Sequence, residues 1–265
     1  MKTHRFKLLK KMVFALALAL VLSPGWAMAN NGGGTPPNGD PGDDGGRPVI
    51  ELEETAVYIE WNSTDTDYGI QFFWDSEGFT RMTIRNESGQ VALDVQTKQN
   101  VREQGLTEGF FESVEPLADE VSMEEFFARF PEGTYDFRGI SIDNEWLLGE
   151  AEFTHILPAP PVNLSPTEGE IVSPLGFTAS FNPVTQDTEG NPIEIEYYTV
   201  VVEKIEDEPI LQTFTVILPP DQTSVEVPAE FLGPDTAYKL EVIAQEAESG
   251  NRTITETGEF TTAAE

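Results

Sequence analysis

The chain has 265 residues, with 47 acidic side chains against 15 basic ones, 22 glycines, 19 prolines and no cysteine. Acid in such excess excludes the phosphate neutralisation on which nucleic-acid affinity depends, and it opposes anionic membrane surfaces. Without cysteine there are no disulfides, no thiol catalysis and no cysteine-ligated metals, so each domain must be held by its own core.

Residues 1–29 read as a secretory signal peptide. Lys2, Arg5, Lys7, Lys10 and Lys11 form a basic start, Met12 to Leu22 is an apolar run, and Ala27-Met28-Ala29 supplies small residues for cleavage. The apolar run is too short for a span of about 20 residues, and no cysteine follows it to carry a lipid. Cleavage after Ala29 leaves 10 basic residues against 47 acids, a net charge of −37. The mature protein is therefore expected outside the cytoplasm, whether periplasmic, on the cell surface or secreted, with no membrane insertion. Residues 30–48 are almost wholly Gly, Pro, Asn and Asp and read as a flexible linker.

Residues 49–157 read as a first β-domain. Strands are expected at Thr55 to Asn62, Tyr68 to Trp74, Phe79 to Arg85 and Gln90 to Thr97, with a closing hairpin from Thr134 to His155 around Asp143-Asn144-Glu145. One helix interrupts them. Ser122 and Glu125 have capping-box spacing, Val121 and Phe126 fit a hydrophobic staple, and Met123, Phe126, Phe127 and Phe130 share one helical face. That aromatic stripe is expected to plug the core. Leu157-Pro-Ala-Pro-Pro161 is a stiff connection to a second domain at 158–265.

In the second domain, Tyr238, Leu240, Val242 and Ala244 alternate with Lys239, Glu241, Ile243 and Gln245, which fits a strand with one face on a core. The turn Leu232-Gly-Pro-Asp-Thr236 precedes it, so Tyr238 is placed to bury its ring and send its hydroxyl back upstream. This pattern resembles the turn and penultimate strand of fibronectin type III domains. The remaining strands suit that resemblance: Val162 to Leu164, Phe177 to Phe181, Ile195 to Val202, Gln212 to Leu218, Val225 to Val227 and Arg252 to Thr262. Phe181 stands where that family usually carries a core Trp, and no Arg-Gly-Asp tripeptide is present. The first domain is only loosely Ig-like. The expected fold is all-β: two tandem β-sandwiches, the first with one short inserted helix.

Few residues invite chemistry. His155 is the one histidine of the mature chain, and nothing resembles Gly-x-Ser-x-Gly. Two oxygen-rich loops are candidate Ca²⁺ sites. Asp187, Glu189 and Asn191 stand at alternate positions around Gly190, and Asn62, Asp65 and Asp67 form the other set, each set offering hard oxygen ligands. The competing reading of both is turn chemistry. Phe72-Phe73-Trp74 puts aromatic rings on both faces of one strand, so Phe72 and Trp74 are candidate ligand-binding rings, with burial as the plainer account. A non-catalytic binding, adhesion or spacer protein is expected, with a protein or glycan partner at the cell surface. A carbohydrate-binding accessory protein is the alternative. A glycosidase-type enzyme is a further one, requiring two carboxyl groups about 5–10 Å apart.

Overall fold

The structure is a computed structural model describing residues 46–205 and 212–264. The expected signal peptide, and the linker up to Gly45, lie outside the described residues. The fold is all-β, with open sheets packed as β-sandwich layers. Among the described residues two short helices punctuate it, α1 (Gln99–Gln104) and α2 (Met123–Arg129). Among the described residues no helix is long and apolar enough to cross a membrane.

Packing divides the described chain into two compact units. Residues up to Thr55 join Phe73–Glu112 and Asp136–Glu150 in the first. The second comprises Ala56–Phe72, Ser113–Tyr135 and everything from Ala151 onward.

In the first unit, β1 (Val49–Glu51) pairs in parallel with β7 (Trp146–Phe153). Strand β3 (Asp67–Arg85), which contributes residues to both units, pairs antiparallel with β4 (Val91–Gln96) and β6 (Gly133–Ser141). The sequence predicts two separate strands over β3, broken at Asp75-Ser-Glu-Gly78. One 19-residue strand is found instead. The polar break is absorbed because its backbone is used: Asp75 O accepts from Glu53 N (3.0 Å) and Gly78 O from Ile142 N (2.8 Å). The buried Ser76 hydroxyl donates to Glu77 O (2.8 Å). A register shift at Phe79/Arg81 takes up the mismatch.

The core of this unit is built on Trp74. Its ring stacks on Phe111 (5.4 Å, 9°) and meets Phe79 and Phe137 edge-on. Phe111 lies on β5 (Leu106–Glu112), a strand that the sequence pattern does not predict. Nor does it predict α1, which buries no residue. Gly109 lies directly against the indole: a Cβ there would stand 2.2 Å from Trp74 Cζ2.

The second unit contains the C-terminal sandwich. Its smaller sheet pairs β9 (Phe177–Ser180) with β12 (Ser224–Val227). The facing sheet runs β11 (Thr213–Leu218), β10 (Ile195–Lys204), β13 (Ala237–Glu246) and β14 (Arg252–Glu256). Strand β15 (Phe260–Thr262) pairs with β13 and with β8 (Ile171–Val172). The expected last strand is therefore split, because Thr257 turns inward to bond Leu240 through backbone and hydroxyl. No strand forms at Val162 to Leu164; an isolated bridge joins Ser165 to Ser180 instead.

The period-two reading of Tyr238 to Ala244 holds. Tyr238, Leu240, Val242 and Ala244 are all buried in the core with Phe181, Tyr198 and Phe260. The Tyr238 hydroxyl accepts from Gly233 N (2.8 Å), closing the corner. Phe181 packs edge-on against Tyr198 at 4.7 Å.

Helix α2 starts as its sequence requires, with Ser122 Oγ accepting from Glu125 N (3.2 Å). Phe126 is its one buried residue and packs on Tyr68 (4.8 Å) and Phe130 (5.1 Å).

Gly109→Ala should lower the unfolding free energy by about 1–3 kcal/mol, as overpacked core sites do. Urea denaturation followed by Trp fluorescence reads it directly. An unchanged midpoint would mean the indole has room the structure denies it.

Candidate functional site

The expected loops are closed by their own hydrogen bonds. Asp187 Oδ1 accepts from the backbone N–H of Glu189 (2.9 Å) and of Asn191 (2.8 Å), and Oδ2 accepts from Asn191 Nδ2 (2.9 Å). The Asn191 amide, with these backbone donors, holds the Asp187 carboxyl below the ordinary carboxylate range. Asp187 and Asn191 thus meet, while Glu189 is exposed. In the other loop, Asn62 Oδ1 accepts from Thr64 N (3.0 Å) and Asp65 N (3.1 Å). Asp65 is exposed and Asp67 is buried, so the two face different surroundings. Both loops show the turn-forming use of Asp and Asn.

The aromatic candidates are covered. Trp74 is 0% exposed and Phe72 is 7% exposed, the latter lying 6.5 Å from Tyr135. A stacking platform needs an open ring face, and neither ring offers one, because both sides of β3 are packed here. His155 is likewise engaged in packing. Its ring stacks on Phe127 at 3.9 Å, its Nε2 contacts Phe130 O (2.7 Å), and its backbone N–H donates to Glu132 Oε1 (2.7 Å).

Chemistry concentrates elsewhere in the second unit, at a seam that no motif marks in the sequence. Strand β14 pairs in parallel with β2 (Glu54–Asn62), with Arg252 opposite Glu60 and Ile254 opposite Asn62. Asn251 pins the seam. It is 0% exposed; its Oδ1 accepts from Ile59 N (2.8 Å), and its Nδ2 donates to Thr154 O (2.9 Å) and Ile156 O (2.8 Å). The Leu157–Pro161 connection packs down beside it: Leu157 is buried, and Thr253 Oγ1 donates to Pro158 O (2.7 Å). Further along, Ser63 Oγ donates to Ile254 O (2.7 Å), and Asn62 Nδ2 donates to Glu256 Oε1 (2.9 Å).

Next to Asn251, the Arg252 guanidinium lies 4.6 Å over the Tyr58 ring, and the residue is 3% exposed. Its Nε donates to Gln245 Oε1 (2.7 Å), which also accepts from Tyr197 Oη (2.5 Å). Gln245 Nε2 donates to Glu196 Oε2 (2.7 Å). This run of compensated contacts is what burial of a guanidinium requires.

Along β13, at Glu241, compensation fails. Glu241 stands directly across from Glu256, on the same face of adjacent strands. Glu256 has Asn62 and Lys239 as partners, with Lys239 Nζ 3.3 Å from Oε2. Glu241 is 7% exposed, and its Oε1 has no hydrogen-bond partner. Burial above all, then the carboxylates of Glu256, Glu60 and Glu203, push the Glu241 carboxyl well above its ordinary value near 4.5. Like charges placed opposite across a sheet are destabilising.

No family model matches the sequence, and no curated protein matches it. Among solved structures, the chain is similar to the chicken CNTN1 FN1-FN3 domains, at 12% identity, with a TM-score of 0.37. The match covers 83% of this chain and 66% of that one. What defines the sandwich is the strand pairing and core of the molecule itself.

Asn251→Ala removes the side-chain hydrogen bonds to Ile59, Thr154 and Ile156 and leaves buried backbone groups unpaired. The expected loss is about 3 kcal/mol or more, measured by chemical denaturation. A loss below about 1 kcal/mol would show that the seam does not depend on that amide. Glu241 gives a pH signature. The folded state keeps a proton that the unfolded state loses near pH 4.5, so this group's contribution to stability falls as pH rises from 4.5 through the folded value. In metal-free buffer, Glu241→Gln should therefore be more stable than the parent at neutral pH, with the difference vanishing towards about pH 4. Equal stability of the two at about pH 7 would contradict this.

Proposed function

We propose that this is an exported, non-catalytic protein of the bacterial cell envelope or exterior, whose sandwiches serve binding, adhesion or spacing. The carrying observation is the seam: a parallel strand pair, Asn251 and the Arg252–Tyr58 contact extend the C-terminal sheet onto β2. Pulling the strands of such a seam apart breaks several hydrogen bonds together, which suits a protein that holds a position. The reading is supported by how the reactive-looking groups are used. His155 is stacked, Phe72 and Trp74 are core, and Asp187 braces a turn. The partner on this reading is a protein or glycan at the cell surface. No feature of the described surface favours the carbohydrate-binding alternative, whose candidate rings are buried.

Export is tested by expressing the full chain with a C-terminal tag and fractionating the cells. The expected product lies outside the cytoplasm, with the mass of a chain beginning at Asn30. An unprocessed chain in the cytoplasm would overturn the proposal. Titrating labelled mature protein onto intact cells then separates the two roles: saturable binding indicates adhesion, and its absence indicates spacing.

A further inference from the structure

We propose that Lys239 and Asn62 become joined by an isopeptide bond, which the protein forms on itself once per chain with Glu256 as the catalytic residue. The three side chains meet on one carboxylate. Lys239 Nζ donates to Glu256 Oε2 (3.3 Å), and Asn62 Nδ2 donates to Glu256 Oε1 (2.9 Å). An amine nucleophile and a carboxamide electrophile thus each stand one hydrogen bond from the same acid–base group. Such a group can take a proton from the one and give it to the other.

The amide is also held ready to react. Asn62 Oδ1 is where negative charge collects during attack on Cγ. It accepts from Thr64 N (3.0 Å) and Asp65 N (3.1 Å), and two backbone N–H groups aimed at such an oxygen act as an oxyanion hole. The loop that carries Asn62 is fastened to β14: Ser63 Oγ donates to Ile254 O (2.7 Å), and Thr64 Oγ1 accepts from Glu256 N (2.9 Å). The group that must move is Lys239. Its side chain is partly exposed, and its flexible four-carbon stem can swing Nζ to an attack distance of about 3–3.5 Å from Cγ. All of these residues belong to the second unit.

The step balances without an added reagent. Burial pulls the Lys239 ammonium down, but Glu256, with Asp65 and Glu203, outweighs it, so the amine rests protonated. Glu256 takes that proton, the Nζ lone pair forms the new bond to Asn62 Cγ, and Oδ1 holds the negative charge. A second proton then passes from Nζ through Glu256 to Nδ2. The Cγ–Nδ2 bond breaks, and Nδ2 leaves as ammonium with the two protons that Nζ gave up. Glu256 ends as the carboxylate it began as. The reaction consumes the protein's own side chains, so it is compatible with a protein that turns over no substrate, and it does not depend on what the protein adheres to. The bond ties β2 to β13 across the intervening β14.

The test is the intact mass of the purified protein, incubated folded and then denatured for measurement. The chain should be lighter than its sequence by one ammonia, and proteolytic mapping should find Asn62 and Lys239 in one branched peptide. Lys239→Arg keeps the positive charge but removes the nucleophile, since a guanidinium stays protonated, and should restore the full mass. Glu256→Gln removes the proton carrier and should do the same, with circular dichroism checking that it is folded. If it is not, Lys239→Arg carries the comparison alone. A parent chain of full mass overturns the proposal. So does an ammonia loss that persists in Lys239→Arg, which puts the loss at another amide. A branched peptide that still forms in folded Glu256→Gln overturns the role of Glu256.

Discussion

The pairing of β14 with β2 is the constraint on which the second unit depends, and one buried amide makes it specific. Parallel pairing of two short strands is weak by itself. Asn251 converts it into a fixed joint because an amide both accepts and donates, and here it bonds Ile59 on one side and Thr154 and Ile156 on the other. No apolar residue could replace it, and an acid would face two carbonyl oxygens with the wrong polarity.

Charge in the interior is handled on the outer face of β13, which in an isolated sandwich would be open to water and is largely buried here. Lys239, Glu241 and Gln245 lie on that face. Covering it obliges each polar group to find a partner. Gln245 does so with Arg252, Tyr197 and Glu196, and Lys239 with Glu256. Glu241 keeps an oxygen without one. A strand face that reads as solvent-exposed from its alternation has thus become the most electrostatically loaded place described in the molecule.

Elsewhere aromatic packing does the organising, differently in each unit. In the first unit, Trp74 is the hub and Gly109 the residue that lets a neighbouring backbone reach it. In the second, Phe126 of α2 meets Tyr68, and Tyr238, Phe260 and Phe181 serve the sandwich core. The four-residue polar break in β3 survives as strand because neighbouring backbones claim its carbonyls. Local propensity is overridden where tertiary hydrogen bonds are on offer.

Whatever rests on near neighbours was legible from the residues in order. The alternation from Tyr238 to Ala244 marked a core strand, the turn before it placed the tyrosine corner, and Ser122 with Glu125 started α2. Each of these is set within a few residues by backbone geometry and side-chain reach. Which apolar or charged faces are covered was settled only by the fold. Phe72, Phe73 and Trp74 were legible as aromatics on two faces of a strand, but only packing showed both faces closed. Strand β5 escaped notice because its buried positions are few, and α1 because it has no apolar face. Asn251 and Glu241 looked like ordinary surface polar residues, since nothing in their local spacing reveals a strand almost two hundred positions away. Their burial is a long-range event. A charge pattern records which side chains share a strand face, not what the fold will lay against it.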